Sequence, residues 1–244
     1  MQRENRLPWV RAQALGGNIS MKIRALIFDF DGLILDTETL EVDVWSEIYS
    51  EYGFEFPLDL WAPIIGGGGI SEFDPALYLR QIHGDSLEVE LLRSRHKHES
   101  NQRVHSEFLR PGVVDYLNEA QRLKLRLAIA SSSDHAWVDA HLVRLSLIQY
   151  FDKVICSDDV LPGRTKPHPD LFLKALEQLQ VRAEEAIVFE DSPNGVEAAK
   201  RAGIFVVAVP NPVTSKLFIK GENLRLQSMA DLSLSDLLIN FEVK

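Results

Sequence analysis

The 244-residue sequence predicts an α/β fold: a doubly wound parallel sheet with an all-helical insertion. Three observations carry that prediction. A short apolar run at residues 25–28 reads as a strand buried on both faces, as in a parallel sheet. Roughly seventy residues after it, 36–108, carry helical but no strand pattern. From Pro111-Gly112 to residue 209 helices and strands alternate, which specifies parallel strands with helices on both faces.

The first strand runs into Asp29-Phe30-Asp31-Gly32. Alternation of side chains sends Asp29 and Asp31 the same way from the strand's carboxyl end, where open α/β sheets bind ligands. Two carboxylates this close repel unless a cation or a shared proton relieves them, and hard oxygen ligands suit Mg²⁺. An isolated D-x-D-G also reads as a solvated turn, so later segments decide. Asp36 or Thr37 starts a helix to about residue 52, with Leu40, Val44, Trp45 and Ile48 as its apolar face and Gly53 as its stop. The run Gly66-Gly67-Gly68-Gly69 lacks the Lys-Ser or Lys-Thr of a P-loop. It reads either as a mobile loop facing a substrate or as a plain connection. Helical patterns resume over 74–83 and 88–108. His96 and His98, two apart, do not share a helix face and predict no metal site. The whole segment reads as a cap over the active end of the sheet.

Beyond Pro111, helices over 113–123, 136–147, 170–179 and 193–202 alternate with strands over 125–130, 153–156, 186–189 and 205–209. The second strand ends in Ser131-Ser132-Ser133-Asp134, whose hydroxyls and N–H groups suit either an anion cradle or a helix cap. After the third, Pro167 and Pro169 stiffen the loop that carries Lys166, and a rigid lysine near paired acids reads as their charge partner. His168 beside it reads as a loop or capping residue. The fourth strand ends in a second acidic pair, Glu190-Asp191. Four carboxylates, Asp29, Asp31, Glu190 and Asp191, are thus expected to converge on one sheet edge, which requires a bound metal at neutral pH.

A net charge of −10 disfavours nucleic acid as a partner. The single cysteine, Cys156, excludes an internal disulfide, fits a reducing cytoplasm and reads as a small buried hydrophobe. No apolar run reaches membrane-span length, and the first twenty residues lack a signal-peptide core. Met21 reads as a natural start, with residues 1–20 an extension. No heptad or apolar stripe specifies an oligomeric state.

As a set, Asp29-Phe30-Asp31-Gly32, Ser131, Lys166 and Glu190-Asp191, each after a predicted strand, resemble the four signatures of the haloacid dehalogenase-like superfamily of phosphotransferases. The runs 29–38 and 190–195 are similar to its β-phosphoglucomutase-like branch. The resemblance implies a Rossmann-like core over 21–35 and 109–244 and a helical cap domain over 36–108. It implies Asp29 as the nucleophile that forms an aspartyl-phosphate, and Asp31 as general acid and then base, with its main-chain carbonyl on the metal. Ser131 and the backbone beside Ser132 are implied to hold phosphoryl oxygens, with Gly67 and Gly68 in the substrate loop. Lys166 is implied to balance charge, and Asp191 to bind Mg²⁺, with Glu190 joining directly or through water. True dehalogenases lack the second aspartate, so Asp31 favours phosphoryl chemistry. The mutase's cap histidine aligns with Glu41, and its substrate-loop arginine has no counterpart in 67–72. Arg93, Arg95 and Lys97 remain as cap cations. The expectation is a cytoplasmic Mg²⁺-dependent phosphatase of a small phosphorylated metabolite, with no nucleic-acid or membrane partner. A hexose phosphomutase and a non-catalytic phosphate-binding module are the alternatives.

Overall fold

The computed structural model describes residues 23–67, 73–84, 86–239 and 241. The extension over residues 1–20 and Gly68 lie outside them. Six parallel strands form one sheet: β1 (Ala25–Phe28), β2 (Arg126–Ala130), β3 (Lys153–Ile155), β4 (Ala186–Glu190), β5 (Phe205–Ala208) and β6 (Leu224–Arg225). Their order is β3-β2-β1-β4-β5-β6. The winding therefore reverses beside β1, between β2 and β4, and such a switch point opens a crevice at the strands' carboxyl ends.

Strand β1 shows why its apolar run has no polar face. Leu26 and Phe28 join one buried cluster, with residues of α5 (Val113–Arg122), α6 (His135–Arg144) and α9 (Leu234–Ile239). Ala25 and Ile27 join the other, with residues of α7 (Asp170–Leu179) and α8 (Pro193–Arg201). Each face of the strand is covered by helices, so every position is apolar.

The inserted segment folds as α1 (Thr37–Glu51), α2 (Leu58–Trp61), α3 (Pro75–His83) and α4 (Val89–Ser106). These helices share a core of their own, with Val44, Trp45, Ile48 and Tyr49 against Ala76, Leu79, Val89 and Leu92. Asp36 caps α1, its Oδ1 accepting from the Thr39 N–H at 3.2 Å. That acid is committed to local structure.

The structure departs from the sequence pattern at three places, the first being the short helix α2 between the expected helices. The helix expected over 136–147 ends at Arg144, and a 3₁₀ turn, Ile148–Tyr150, follows once Ser146 takes φ of 56°. Strand β6 and helix α9 lie beyond the alternation read from the sequence. Both are too short to leave a periodic pattern.

Candidate active site

The crevice is built from the ends of β1, β2 and β4 and the loop after β3. Beyond β1, the Asp29 N–H still pairs with the Phe189 carbonyl at 3.0 Å, which fixes the buried Asp29 next to the end of β4. Lys166 is fully buried. Its Nζ donates to Asp29 Oδ1 at 2.5 Å and to Glu190 Oε1 at 2.6 Å. The other Glu190 oxygen, Oε2, accepts from the N–H groups of Asp191 (3.0 Å) and Ser192 (3.1 Å) and from the Ser192 hydroxyl (3.1 Å). Asp191 Oδ2 accepts from Asn211 Nδ2 at 2.8 Å, while Asp191 Oδ1 is buried with no hydrogen-bond partner.

Carboxylate oxygens of Asp29, Glu190 and Asp191 lie within 4.8 Å of one another. Burial and the charge of Glu190 push the Asp29 carboxyl up to about 8, against the pull of Lys166. Burial, with Glu190 and Asp29 beside it, raises Asp191 in the same direction. For Lys166, burial works against the charged form, yet Asp29 and Glu190 outweigh it and hold the ammonium above its ordinary range. Lys166 therefore stays charged, and the upward shift of Asp29 comes first from burial and then from the charge of Glu190. The missing positive charge and the unpartnered Asp191 Oδ1 fit a hard divalent cation bound by oxygen ligands.

Asp31 lines the same crevice as Asp29 but lies outside the tight cluster of Asp29, Glu190 and Asp191. Its Oδ2 accepts from the hydroxyls of Ser133 (2.6 Å) and Ser131 (3.3 Å), and its Oδ1 from Trp137 Nε1 (2.8 Å). The strand ends at Phe28, so strict alternation no longer governs Asp31, and the chain turns at Gly32 with φ of +77°. A Cβ on Gly32 would stand 2.4 Å from Asp191 Oδ2. Glycine there permits both the left-handed turn and the close approach of the two acidic loops.

Ser131 supports this arrangement twice, since its Oγ also accepts from the Ser133 N–H at 3.0 Å. Ser132 turns toward the cap, donating to the Gly66 carbonyl at 3.1 Å. Asn194, at the start of α8, donates to the Pro63 and Ile65 carbonyls at 3.0 and 2.8 Å. The loop before the glycine run is thus fastened to the core from two sides.

A cavity of about 380 Å³ separates cap and core. Asp29, Asp31, Ser131 and Ser132 line its floor, and Gly67 lies at its edge. Glu38, Glu41, Trp61, His96, Lys97 and Asn101 line the cap side. Burial, with Asp31 nearby, pushes Glu41 up to about 7. His96 stacks on Trp45 with ring centroids 4.3 Å apart, and burial lowers its basicity. The cap arginines do not line the cavity: Arg93 pairs with Asp74 and Glu90, and Arg95 with Glu51 and Glu99. Lys97 does.

Among the other residues singled out in the sequence, Cys156 is fully buried and its thiol is pushed above the usual range by burial, as an inert apolar filler requires. His168 Nδ1 pairs with Arg164 Nη1 at 3.0 Å, away from the acidic cluster. Sequence reasoning missed Trp137, Asn211 and Arg110, and read Ser133 as part of an anion cradle or a helix cap rather than as a partner of Asp31. Arg110 donates to the Gly32, Val209 and Pro210 carbonyls at 2.6, 2.9 and 2.8 Å, tying the loop after β1 to the end of β5. No described helix is long and apolar enough to cross a membrane.

The parallel sheet with its acidic crevice at the switch point is a Rossmann-like α/β fold, and the chain belongs to the haloacid dehalogenase-like hydrolases, whose family model matches residues 26–209. It is 45% identical over 216 residues to YhcW of Bacillus subtilis, which carries a provisional phosphatase name; the match covers 88% of this chain and 96% of that protein. It is 38% identical over 187 residues to the phosphorylated carbohydrates phosphatase of Thermotoga maritima, covering 75% and 82% respectively. Among solved structures it resembles a Thermotoga maritima protein provisionally assigned as a β-phosphoglucomutase, with a TM-score of 0.66 and 30% identity over 86% of this chain and 96% of that one.

Proposed function

We propose that this chain is a Mg²⁺-dependent phosphatase that hydrolyses a small phosphorylated metabolite of the sugar-phosphate kind through an aspartyl-phosphate on Asp29. The observation that carries the reading is the buried Lys166 held between Asp29 and Glu190 beside an Asp191 oxygen with no partner. Similarity to a phosphatase of phosphorylated carbohydrates supports the substrate class.

The residues divide the work as follows. Asp29 Oδ attacks phosphorus while the bond from phosphorus to the ester oxygen breaks. Asp31 gives that oxygen a proton, so the leaving group departs as a neutral alcohol. Asp31, now ionised, takes a proton from water, which attacks the same phosphorus and frees Asp29 and inorganic phosphate. Lys166 balances charge on Asp29 and on the transferring group. Ser131, Ser133 and Trp137 hold Asp31 in place. Ser131 and the Ser132 backbone cradle phosphoryl oxygens. Asp29, the Asp31 carbonyl and Asp191 would hold Mg²⁺, with Glu190 behind them. Bound there, Mg²⁺ supplies the positive charge that an anionic transition state needs. The cap, residues 36–108, closes over the sheet edge, excludes bulk water and selects the leaving group through Glu41, Asn101 and the loop at Gly67 and Gly68.

The structural likeness to an assigned β-phosphoglucomutase makes phosphomutase activity the second reading. A mutase must hold a second phosphate in the cap, and Glu38 and Glu41 there work against one. The test follows free phosphate and glucose 6-phosphate in parallel on a panel of sugar phosphates, including β-glucose 1-phosphate with a trace of bisphosphate. Phosphate release that needs both Mg²⁺ and Asp29 supports hydrolysis. Isomerised product without phosphate release makes the chain a mutase. Turnover unchanged in Asp29→Asn defeats both.

A further inference from the structure

We propose that Asn211 is a positioning residue that restricts Asp191 to one free oxygen and thereby makes the metal site select Mg²⁺ over Ca²⁺; the inference rests on the Mg²⁺ reading above. Asn211 is buried on the loop after β5, far in sequence from the residues of the acidic cluster. Its carboxamide has one possible orientation. Oδ1 accepts from the Val213 and Thr214 N–H groups at 3.0 and 2.8 Å, so the NH₂ group must face the other way. There it donates to Asp191 Oδ2 at 2.8 Å and, more weakly, to the Gly32 carbonyl at 3.4 Å. The backbone N–H of Asn211 is fixed in turn by Thr214 Oγ1 at 2.9 Å. The donor is thus held by main-chain bonds on three sides.

The consequence is chemical. With Oδ2 engaged and oriented by an N–H donor, the oxygen that Asp191 presents unengaged to a cation is Oδ1. The neighbouring acids are restricted in the same way: Asp29 Oδ1 and Glu190 Oε1 lie on Lys166, and Glu190 Oε2 already accepts three donors. A site that presents single carboxylate oxygens suits the small, octahedral Mg²⁺. Ca²⁺ prefers more oxygens and readily takes a carboxylate through both. Asn211 is the member of this set that no charge requires, and it acts through Asp191 without touching substrate.

The test is calorimetric titration of the full chain with Mg²⁺ and with Ca²⁺ separately, for the wild type, Asn211→Ser and Asn211→Asp. Both substitutions keep an oxygen that can accept from the Val213 and Thr214 N–H groups, and both remove the donor to Asp191. The expected result is that the Ca²⁺/Mg²⁺ ratio of dissociation constants falls about tenfold or more in both variants, the scale of effect typical for residues that orient a metal ligand. An unchanged ratio in variants that keep the wild-type Tm in chelator overturns the proposal. A wild-type structure grown with Ca²⁺ is the reading that needs no variant: Asp191 bound through Oδ1 alone supports it, and Asp191 bound through both oxygens overturns it. Asp191→Asn separates the two layers of inference. If the wild type and Asp191→Asn alike bind neither ion, the Mg²⁺ reading itself fails, and the role of Asn211 falls with it.

Discussion

Trp137 Nε1 donates to Asp31 Oδ1 at 2.8 Å, across 106 residues of chain. The indole is a donor only, so this bond requires Asp31 to present an acceptor oxygen there. Together with Ser133 on the other oxygen, it fixes the plane of the carboxyl group proposed above as the acid and base.

Removing that one donor while keeping an aromatic ring tests its worth. Trp137→Phe is expected to lower kcat by about tenfold to a hundredfold, the range for losing a hydrogen bond to a charged group, with a far smaller change in KM. Steady-state kinetics on the best substrate of the panel decides it. A variant with wild-type kcat would show that Ser131 and Ser133 suffice to hold Asp31.

Lys166 is the one ammonium among three buried acids, so its loss leaves carboxylates buried and unpaired. Lys166→Met is expected to destabilise the metal-free protein by about 3–5 kcal/mol, as when one partner of a buried ion pair is removed. Urea unfolding in chelator measures this. Added Mg²⁺ should return part of the loss, because the same acids would then have a cation beside them.

The pH dependence of the metal-free protein follows from Asp29, raised from 3.8 to about 8. Between those values the folded state keeps a proton that the unfolded state has lost. Stability therefore falls as pH rises through that window. Glu41, raised from 4.5 to about 7, has the same sign over the lower part of it. Asp191 and Glu38, raised in the same direction by burial, add to the slope, which should be reduced in Asp29→Asn. Urea midpoints in chelator at about pH 5, 7 and 8 read the slope directly; midpoints that rise with pH contradict the assignment.

Gly66 bears on substrate retention. Its φ is +70°, and a Cβ there would stand 2.0 Å from Ser192 Oγ. Gly66→Ala is expected to lift the loop off the core and raise KM several-fold, since cap closure commits the substrate. Asn194→Ala, which removes the bonds to the Pro63 and Ile65 carbonyls, should do the same from the other side. Unchanged KM in both variants would show that the loop plays no part in holding substrate.

Much of this was legible in the sequence because the chemistry sits at strand ends. Asp29, Lys166, Glu190 and Asp191 each follow a buried apolar run or a stiff proline loop, and both patterns are local. The two faces of β1 likewise follow from an unbroken apolar run. What was not legible depends on tertiary distance. Trp137 reads as an ordinary helical aromatic, Asn211 as a turn residue before Pro212, and Arg110 as a surface charge before Pro111. Nothing near them in sequence shows that their partners are Asp31, Asp191 and the Gly32 carbonyl. The pairing of Asp29 and Asp31 at the crevice is legible in their D-x-D spacing, whereas the bonds of Asp31 to Ser133 and Trp137 are not.

Three carboxylates against one ammonium also set an order of events. Without a cation Asp29 keeps a proton up to about pH 8, so on the proposed reading a phosphate monoester that arrives alone finds no ionised nucleophile. Productive encounters are those in which the cation is seated first or travels with the substrate. On the way out, inorganic phosphate loses its hold once the cation leaves. On that reading, inhibition by inorganic phosphate should strengthen with the concentration of Mg²⁺, and phosphate binding should vanish in chelator, a signature set by the cluster of Asp29, Glu190 and Asp191.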